Sequence, residues 1–193
     1  MGRKPDPKRR ADLLAAFVDY VLENGLADLS LRPAAAALGT SPQILLYHFS
    51  SKEELISEAV AAARGRAIVT LAREIGRSRE GATPSETLWR LWRWFTAKRR
   101  APFMRLFFEV FGLALQHPAR FKEFLASTSQ FFTMVEQSFA GMGFSTEKSR
   151  TLATFYVDSL RGMLLDYLLT GNRTRIEPSV ALVAQHLEQD LRR

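Results

Sequence analysis

The sequence of 193 residues predicts an all-α fold of about nine helices. Three observations predict it. Apolar residues recur at three- and four-residue spacing in nearly every segment. No stretch sustains the two-residue alternation of a half-buried strand. Several Pro and Gly residues fall where the periodic segments start and stop, as helix boundaries require.

The first helix is expected from about Lys8 to Asn24. Leu13, Leu14, Phe17, Val18, Val21 and Leu22 form its apolar stripe, and Gly25 ends it. Ser30 is the expected N-cap of a second helix, with Pro33 tolerated in the first turn, and Leu38-Gly39 ends it. A third starts near Ser41-Pro42 and ends near His48. Ser50 and Ser51, three residues before Glu53 and Glu54, have capping-box spacing and open a long fourth helix to about Ile75. The polar, turn-rich segment 76–84 reads as a loop. Further helices are expected over Ser85–Arg99, Pro102–Gln116, Pro118–Ala140, Thr146–Thr170 and Glu177–Leu191, with Pro178 taken as a helix start.

Composition excludes several classes. The chain has no Cys, which removes disulfide scaffolds and Cys-based zinc sites. No apolar run reaches the ~18–20 residues of a membrane span. The N-terminal MGRKPDPKRR lacks the apolar centre of a secretory signal, and Asp6 stands where a myristoylation signal needs Ser or Thr. The expectation is a soluble, cytoplasmic protein without a membrane partner. Net charge is +7, yet residues 1–66 hold nine Lys/Arg against eight Asp/Glu. Bulk basicity therefore says little about where an anionic partner would bind.

Local arrangement says more. From Leu29 through Lys52 there is no acidic residue, although acids are spread along the chain on both sides. This stretch holds the two short helices and the turn at Gly39, where a positive φ suits glycine. Such helices are too short to be stable alone and need the first helix as a platform, with Leu38, Leu45 and Phe49 as the packing plugs. A tight turn crosses them steeply, so that the second can enter a major groove while the first lies over the backbone.

The candidate contacts have distinct chemistry. Arg32 can reach a phosphate or a guanine edge. Thr40 and Ser41 offer hydroxyls beside a helix N-terminus, which suits phosphate. Gln43 is a flexible donor and acceptor suited to an adenine edge. Tyr47 and His48 can hydrogen-bond phosphate and pack on sugar, and Lys52 adds a positive charge at the next helix. The basic arm of Arg3, Lys4, Lys8, Arg9 and Arg10 reads either as extra phosphate contacts or as a solvated tail.

This segment resembles the DNA-binding domain of the TetR family of bacterial transcriptional regulators. The residues in register are Ser30-Leu31-Arg32, Ala35, Leu38-Gly39, Leu45, His48-Phe49, Ser51-Lys52 and Leu55. The likeness is specific over about residues 8–60. It departs at Leu46, where the family usually has Tyr, with Tyr47 one place later. Ala34 replaces a larger aliphatic, and Pro33 is unusual there. The resemblance implies a helix-turn-helix DNA-binding domain over 1–55 and a helical ligand-binding and dimerisation domain over 56–193, with the fourth helix bridging them. It implies a homodimer on double-stranded operator DNA and no cofactor.

The C-terminal region is crowded with aromatics at helical spacing, which alone reads as a helical core. The resemblance adds a cavity for a hydrophobic small-molecule effector, with Trp92, Phe95, Phe107, Phe108, Phe111, Phe132, Phe155 and Asp158 as candidate lining. Asp158 reads equally as an ion-pair partner of Arg161, one turn on. The resemblance also implies a dimer interface from the last two helices. Ser159 and Gly162 sit mid-helix, where Gly costs ~1 kcal/mol relative to Ala and close backbone approach is a motive. Val180, Val183, Ala184 and Leu187 form a stripe on the final helix.

The function expected is a dimeric transcriptional regulator, a repressor released from a palindromic operator by a hydrophobic or aromatic ligand. An enzyme is not expected: there is no nucleophile–base–orienter set, no HExxH spacing and no Gly-rich phosphate loop, and His48, His117 and His186 are scattered. The alternative is a helical membrane-surface or protein-binding module without sequence-specific DNA binding. It would use Arg90, Arg93, Lys98, Arg99 and Arg100 beside the Trp cluster.

Overall fold

A computed structural model of the chain describes residues 6–26, 28–76 and 83–191, apart from the side chains of 68 and 71–76. All regular structure among the described residues is helical. The elements are α1 (Pro7–Asn24), α2 (Leu31–Ala37), α3 (Pro42–Phe49), α4 (Lys52–Gly76), α5 (Pro84–Phe95), α6 (Ala101–Gln116), α7 (Lys122–Gly141), α8 (Thr146–Thr170) and α9 (Arg173–Leu191). Short 3₁₀ turns lie at Lys98–Arg100 and Pro118–Arg120. The chain packs as two compact units. One joins Met1–Ile68 with Pro102–Ser127; the other joins Val69–Ala101 with Thr128–Arg193.

In the first unit, Asp6 caps α1 by accepting from the Lys8 N–H at 3.0 Å, and Pro7 occupies the first turn. Leu13, Phe17, Val18 and Val21 are buried, which is the expected stripe. Gly25 has φ +73° and donates to the Val21 carbonyl at 2.9 Å, closing the helix. Ser30 stands at the N-cap of α2, but its side chain makes no capping bond. Ala34 and Ala35 are completely buried. Their small size seats this short helix in the core. Gly39 has φ +63°, as the tight turn requires. Ser41 caps α3 by accepting from the Ile44 N–H at 3.3 Å. Ser51 accepts from the Glu54 N–H at 3.0 Å and so opens α4.

Leu45 and Phe49 have no exposed surface and pack with α1, with Leu55, Ile56, Ala59, Val60 and Ala63 of α4, and with Leu106, Val110, Ala114, Phe121 and Phe124. Burying a Leu or Phe of this kind stabilises by about 1.5–3 kcal/mol, so the short α2 and α3 are held by this core rather than by their own propensity. Leu38 is only half-buried at its edge.

In the second unit, Thr83 and Glu86 form a reciprocal capping box at 3.1 and 2.9 Å, so α5 starts one residue earlier than expected. It ends at Phe95 rather than Arg99. The Thr96 hydroxyl donates to the Trp92 carbonyl at 2.8 Å, and the next residues tighten into a 3₁₀ turn. Pro118 likewise opens a 3₁₀ turn, and α7 begins only at Lys122. The expected start of α9 at Glu177 is corrected to Arg173. Asn172 accepts from the Arg175 N–H at 3.1 Å, and Arg173 pairs with Glu177 at 2.9 Å, so the helix is already formed before Pro178. That proline lies early enough for the helix to continue through it, at the cost of one N–H bond. α9 packs against α5 and α8, and Trp92, Tyr156, Leu164, Ile176, Val180 and Ala184 are buried in this unit. The loop expected over 76–84 lies largely outside the described residues.

Candidate nucleic-acid interface

The helix α3 is apolar nearly all round, but only Leu45 and Phe49 are buried. Its other face is open: Gln43 is exposed, Ile44 is 43% exposed, Leu46 41% and Tyr47 54%. An apolar helix ordinarily buries itself, so this open face calls for a partner. Ile44 was not among the sequence candidates. The signal for it was its place in the same turn as Gln43, facing away from the Leu45–Phe49 stripe.

Arg32 is exposed in the first turn of α2 and has no ion-pair partner among the described residues. Ser41 spends its acceptor on the α3 cap and keeps its hydroxyl proton to donate. The Thr40 hydroxyl is buried without a hydrogen-bond partner. His48 is half-buried, its Nδ1 lacks a partner, and its ring meets the Tyr47 ring edge-on at 5.2 Å. Tyr47, not residue 46, thus presents the phenol on the open face. The Lys52 ammonium donates to the Leu29 carbonyl, tying the start of α4 to the loop before α2. An ammonium has two further N–H donors for a phosphate.

Arg10 does not belong to a free basic arm. Its Nε donates to the His48 carbonyl at 3.0 Å, its Nη2 donates to Glu58 at 2.5 Å, and its guanidinium lies 4.6 Å from the centre of the Phe49 ring. The Glu58 hydrogen bond holds its pKa above the ordinary value, against the opposing effect of partial burial. Its position three residues before Leu13, on the buried stripe, was the sequence signal that it packs inward. Lys8 and Arg9 are exposed, and Arg3 and Lys4 lie outside the described residues.

The loop entering α2 is also held from α6. A carboxylate oxygen of Glu109 accepts from the Leu26 N–H at 2.8 Å. A Cβ on Gly25 would stand 3.3 Å from the other oxygen.

The aromatic candidates divide between the units. Phe107, Phe108 and Phe111 belong to the first, are half-buried, and interlock edge-to-face, Phe107 standing 4.9 Å from Phe111 and 5.6 Å from Phe108. Trp92, Phe95, Phe132, Phe155 and Asp158 belong to the second. Trp92 is fully buried and donates from its indole N–H to Glu177 at 3.2 Å. Phe95 is half-buried against Trp94, and Phe132 lies under the Arg161 guanidinium at 5.1 Å. Phe155 is 48% exposed, and Asp158 is exposed and paired with Arg161 at 2.9 Å. These two are therefore on the outer face of α8, not lining an interior cavity.

The candidate dimer residues divide as well. Val180, Ala184 and Leu187 are buried within the protomer, under α5 and α8, and Val183 and Ser159 are half-buried. The open face of α8 instead carries Phe155, Gly162, Leu165 and Leu169, with Leu169 77% exposed. On α9 the exposed apolar side chain is Leu182. The expected stripe was real, but it faces the protomer's own core. Trp92 and Trp94 are buried too, so α5 cannot offer them to a lipid surface. No helix among the described residues is long and apolar enough to cross a membrane.

Residues 13–59 match the model of the family described as bacterial regulatory proteins, tetR family. No curated protein sequence matches the chain. Among solved structures, a transcriptional regulator from Rhodococcus sp. Rha1 is similar at 19% identity and TM-score 0.72, covering 94% of this chain and 96% of its own. A TetR family member from Streptomyces coelicolor A3 is similar at 25% identity and TM-score 0.68, covering 94% and 98%. The multidrug binding protein EbrR complexed with proflavin is similar at 24% identity and TM-score 0.68, covering 92% and 98%. Residues 13–59 thus stand in the register of the tetR family's helix-turn-helix, and the chain as a whole shares the all-helical fold of these solved structures.

Proposed function

We propose that this regulator is a cytoplasmic homodimeric repressor that reads a palindromic operator and leaves it when a hydrophobic or aromatic small molecule binds. The observation that carries the reading is the open face of α3, where exposed Gln43, Ile44, Leu46 and Tyr47 stand on a rigid, buried base of Leu45 and Phe49. In this reading 1–55 is the DNA-reading domain and 56–193 the effector and dimerisation domain. Gln43 reads a base edge, and Ile44 and Leu46 meet thymine methyls. Arg32, Thr40, Ser41, Tyr47, His48 and Lys52 address the backbone. Two copies of α3 would lie about 34–36 Å apart to match successive turns of the duplex.

The dimer contact is assigned to the exposed faces of α8 and α9, through Phe155, Gly162, Leu165, Leu169 and Leu182, because this apolar surface has no cover within the protomer. The effector reading draws on the aromatic clusters and on EbrR, whose structure holds proflavin, a flat aromatic compound. A ligand favouring the conformer with the wrong half-site separation would release DNA by population shift.

Selection of bound sequences from a random duplex pool, repeated with Gln43→Ala, tests the reading. A palindromic site is expected for the native chain, and relaxed preference at one base pair per half-site for the variant. Recovery of no consensus sequence would overturn it.

A further inference from the structure

We propose that the first unit carries a separate site for a small aliphatic diamine, in the cleft between the start of α4 and the Pro118–Arg120 turn with the start of α7. The cleft measures about 440 Å³. Its lining includes Ser57, Glu53, Glu54, Glu123, Arg120 and Lys122, all within that unit. Three carboxylates face two cationic groups, so the lining is net negative although the chain as a whole is basic.

The charges are not all spoken for. Glu53 pairs with Arg120 at 3.4 Å, and Glu54 is 3.8 Å from Arg10. Glu123 is exposed and has no ion-pair partner among the described residues. Acidic residues in first turns are also what helix N-termini attract, so their presence alone would not make a site. Ser57 supplies the independent observation. It lines the cleft, is 2% exposed, and its Oγ has no hydrogen-bond partner among the described residues. A serine in a helix interior commonly bonds back to the preceding turn; this one does not. A buried hydroxyl left unbonded costs free energy that a ligand donor would recover.

The donor set selects the ligand class. No group of three carboxylate or imidazole side chains among the described residues is placed to hold a metal ion, so a point cation is a poor match. A primary ammonium carries three N–H donors and no acceptor, which suits a hydroxyl oxygen beside carboxylates. Two such groups on a short aliphatic stem would address Ser57 and Glu54 with one end and Glu123 with the other. The site is distinct from the aromatic clusters and would take a ligand of opposite character to a hydrophobic effector.

Calorimetric titration of 1,4-diaminobutane into the full chain, without DNA and at fixed ionic strength, tests this. One saturable site per chain is expected. Ser57→Ala should weaken binding about tenfold, the worth of a neutral acceptor lost to a charged donor, and Glu123→Gln about threefold, as befits an exposed charge. Glu136→Gln, in the other unit, should leave it unchanged. Circular dichroism checks each variant's fold, and the exposed Glu123→Gln serves alone if Ser57→Ala does not fold. Non-saturating heats, equal affinity in the native chain and Glu123→Gln, or equal affinity for magnesium would overturn the proposal. Because DNA is absent, its failure would leave the operator reading untouched.

Discussion

Replacing Glu109 by Ala should loosen the entrance to α2 and α3 without touching them. The Glu109 carboxylate is the acceptor for the Leu26 N–H at 2.8 Å, and Leu26 is only 7% exposed. A hydrogen bond to a charged group contributes about 1.5–3 kcal/mol, and the orphaned donor left by truncation carries its own penalty of about 1–3 kcal/mol. The bond is part-buried, so water can reach some of what Ala leaves behind. About 1.5–2 kcal/mol of lost stability is the resulting expectation. With a urea m-value of about 2 kcal/mol/M, the midpoint should fall by somewhat less than about 1 M. Glu109→Gln keeps an amide oxygen in place and should cost about half as much. Amide exchange reads the contact directly, since the Leu26 N–H should exchange about ten- to thirtyfold faster in Glu109→Ala if the opening free energy drops by that amount. Unchanged exchange at Leu26 together with an unchanged midpoint would refute the reasoning.

Gly25→Ala should destabilise by about 1–3 kcal/mol, because φ +73° with ψ −169° is a region that residues with a Cβ avoid, and urea unfolding measures it. Equal stability would show that the loop adopts another conformation. Lys52→Ala should lower affinity for all duplexes alike and flatten the dependence of log affinity on log salt by about 0.9, one phosphate's worth. An unchanged slope would mean that the ammonium serves only the Leu29 carbonyl. Arg10→Ala should cost stability, by about 2 kcal/mol or more, since it strips the His48 carbonyl, Glu58 and the Phe49 ring of one shared partner. If its main effect were a flatter salt dependence with unchanged stability, Arg10 would be a phosphate contact after all. Tyr156→Phe should cost about 1 kcal/mol by removing the 2.9 Å bond from its hydroxyl to Asp190. Burial, with that bond and the Asp190 charge adding to it, pushes the phenol's pKa up, so the bond should persist through alkaline titration; ionisation of Tyr156 in its ordinary range would argue against it.

The helices were legible because apolar residues recur in them at helical spacing; of the caps, Ser41 and Ser51 were readable, Ser30 makes no capping bond, and three more side-chain caps came from the structure. Asp6, Ser41, Ser51, Thr83 and Ser145 all cap as side chains. The errors fell where local rules give two answers. Proline starts helices and is also tolerated in early turns, so Pro178 misplaced the start of α9 by four residues. The buried base of α3 was visible as Leu45 and Phe49, but of the positions it leaves open the sequence singled out Gln43 and Tyr47 and passed over Ile44. What periodicity could not give was which partner a stripe faces. Val180, Ala184 and Leu187 were read as an interface and turned out to be the protomer's own packing against α5 and α8. The same limit hid Arg10 and Glu109, whose partners lie 48 and 83 residues away in the chain.

The first unit is stitched from two separated stretches of chain, and this sets a schedule for its synthesis. Leu106, Val110, Phe121 and Phe124 complete the core beneath α1–α4. When residue 68 has left the ribosome, the helix-turn-helix is written in full but its base is still open. It must wait for the chain through Ser127, roughly 3–12 s at ordinary elongation rates. A truncated product ending after α4 would expose Phe17, Val60 and their neighbours to water, and should be a substrate for proteolysis rather than a free-standing competitor for the operator.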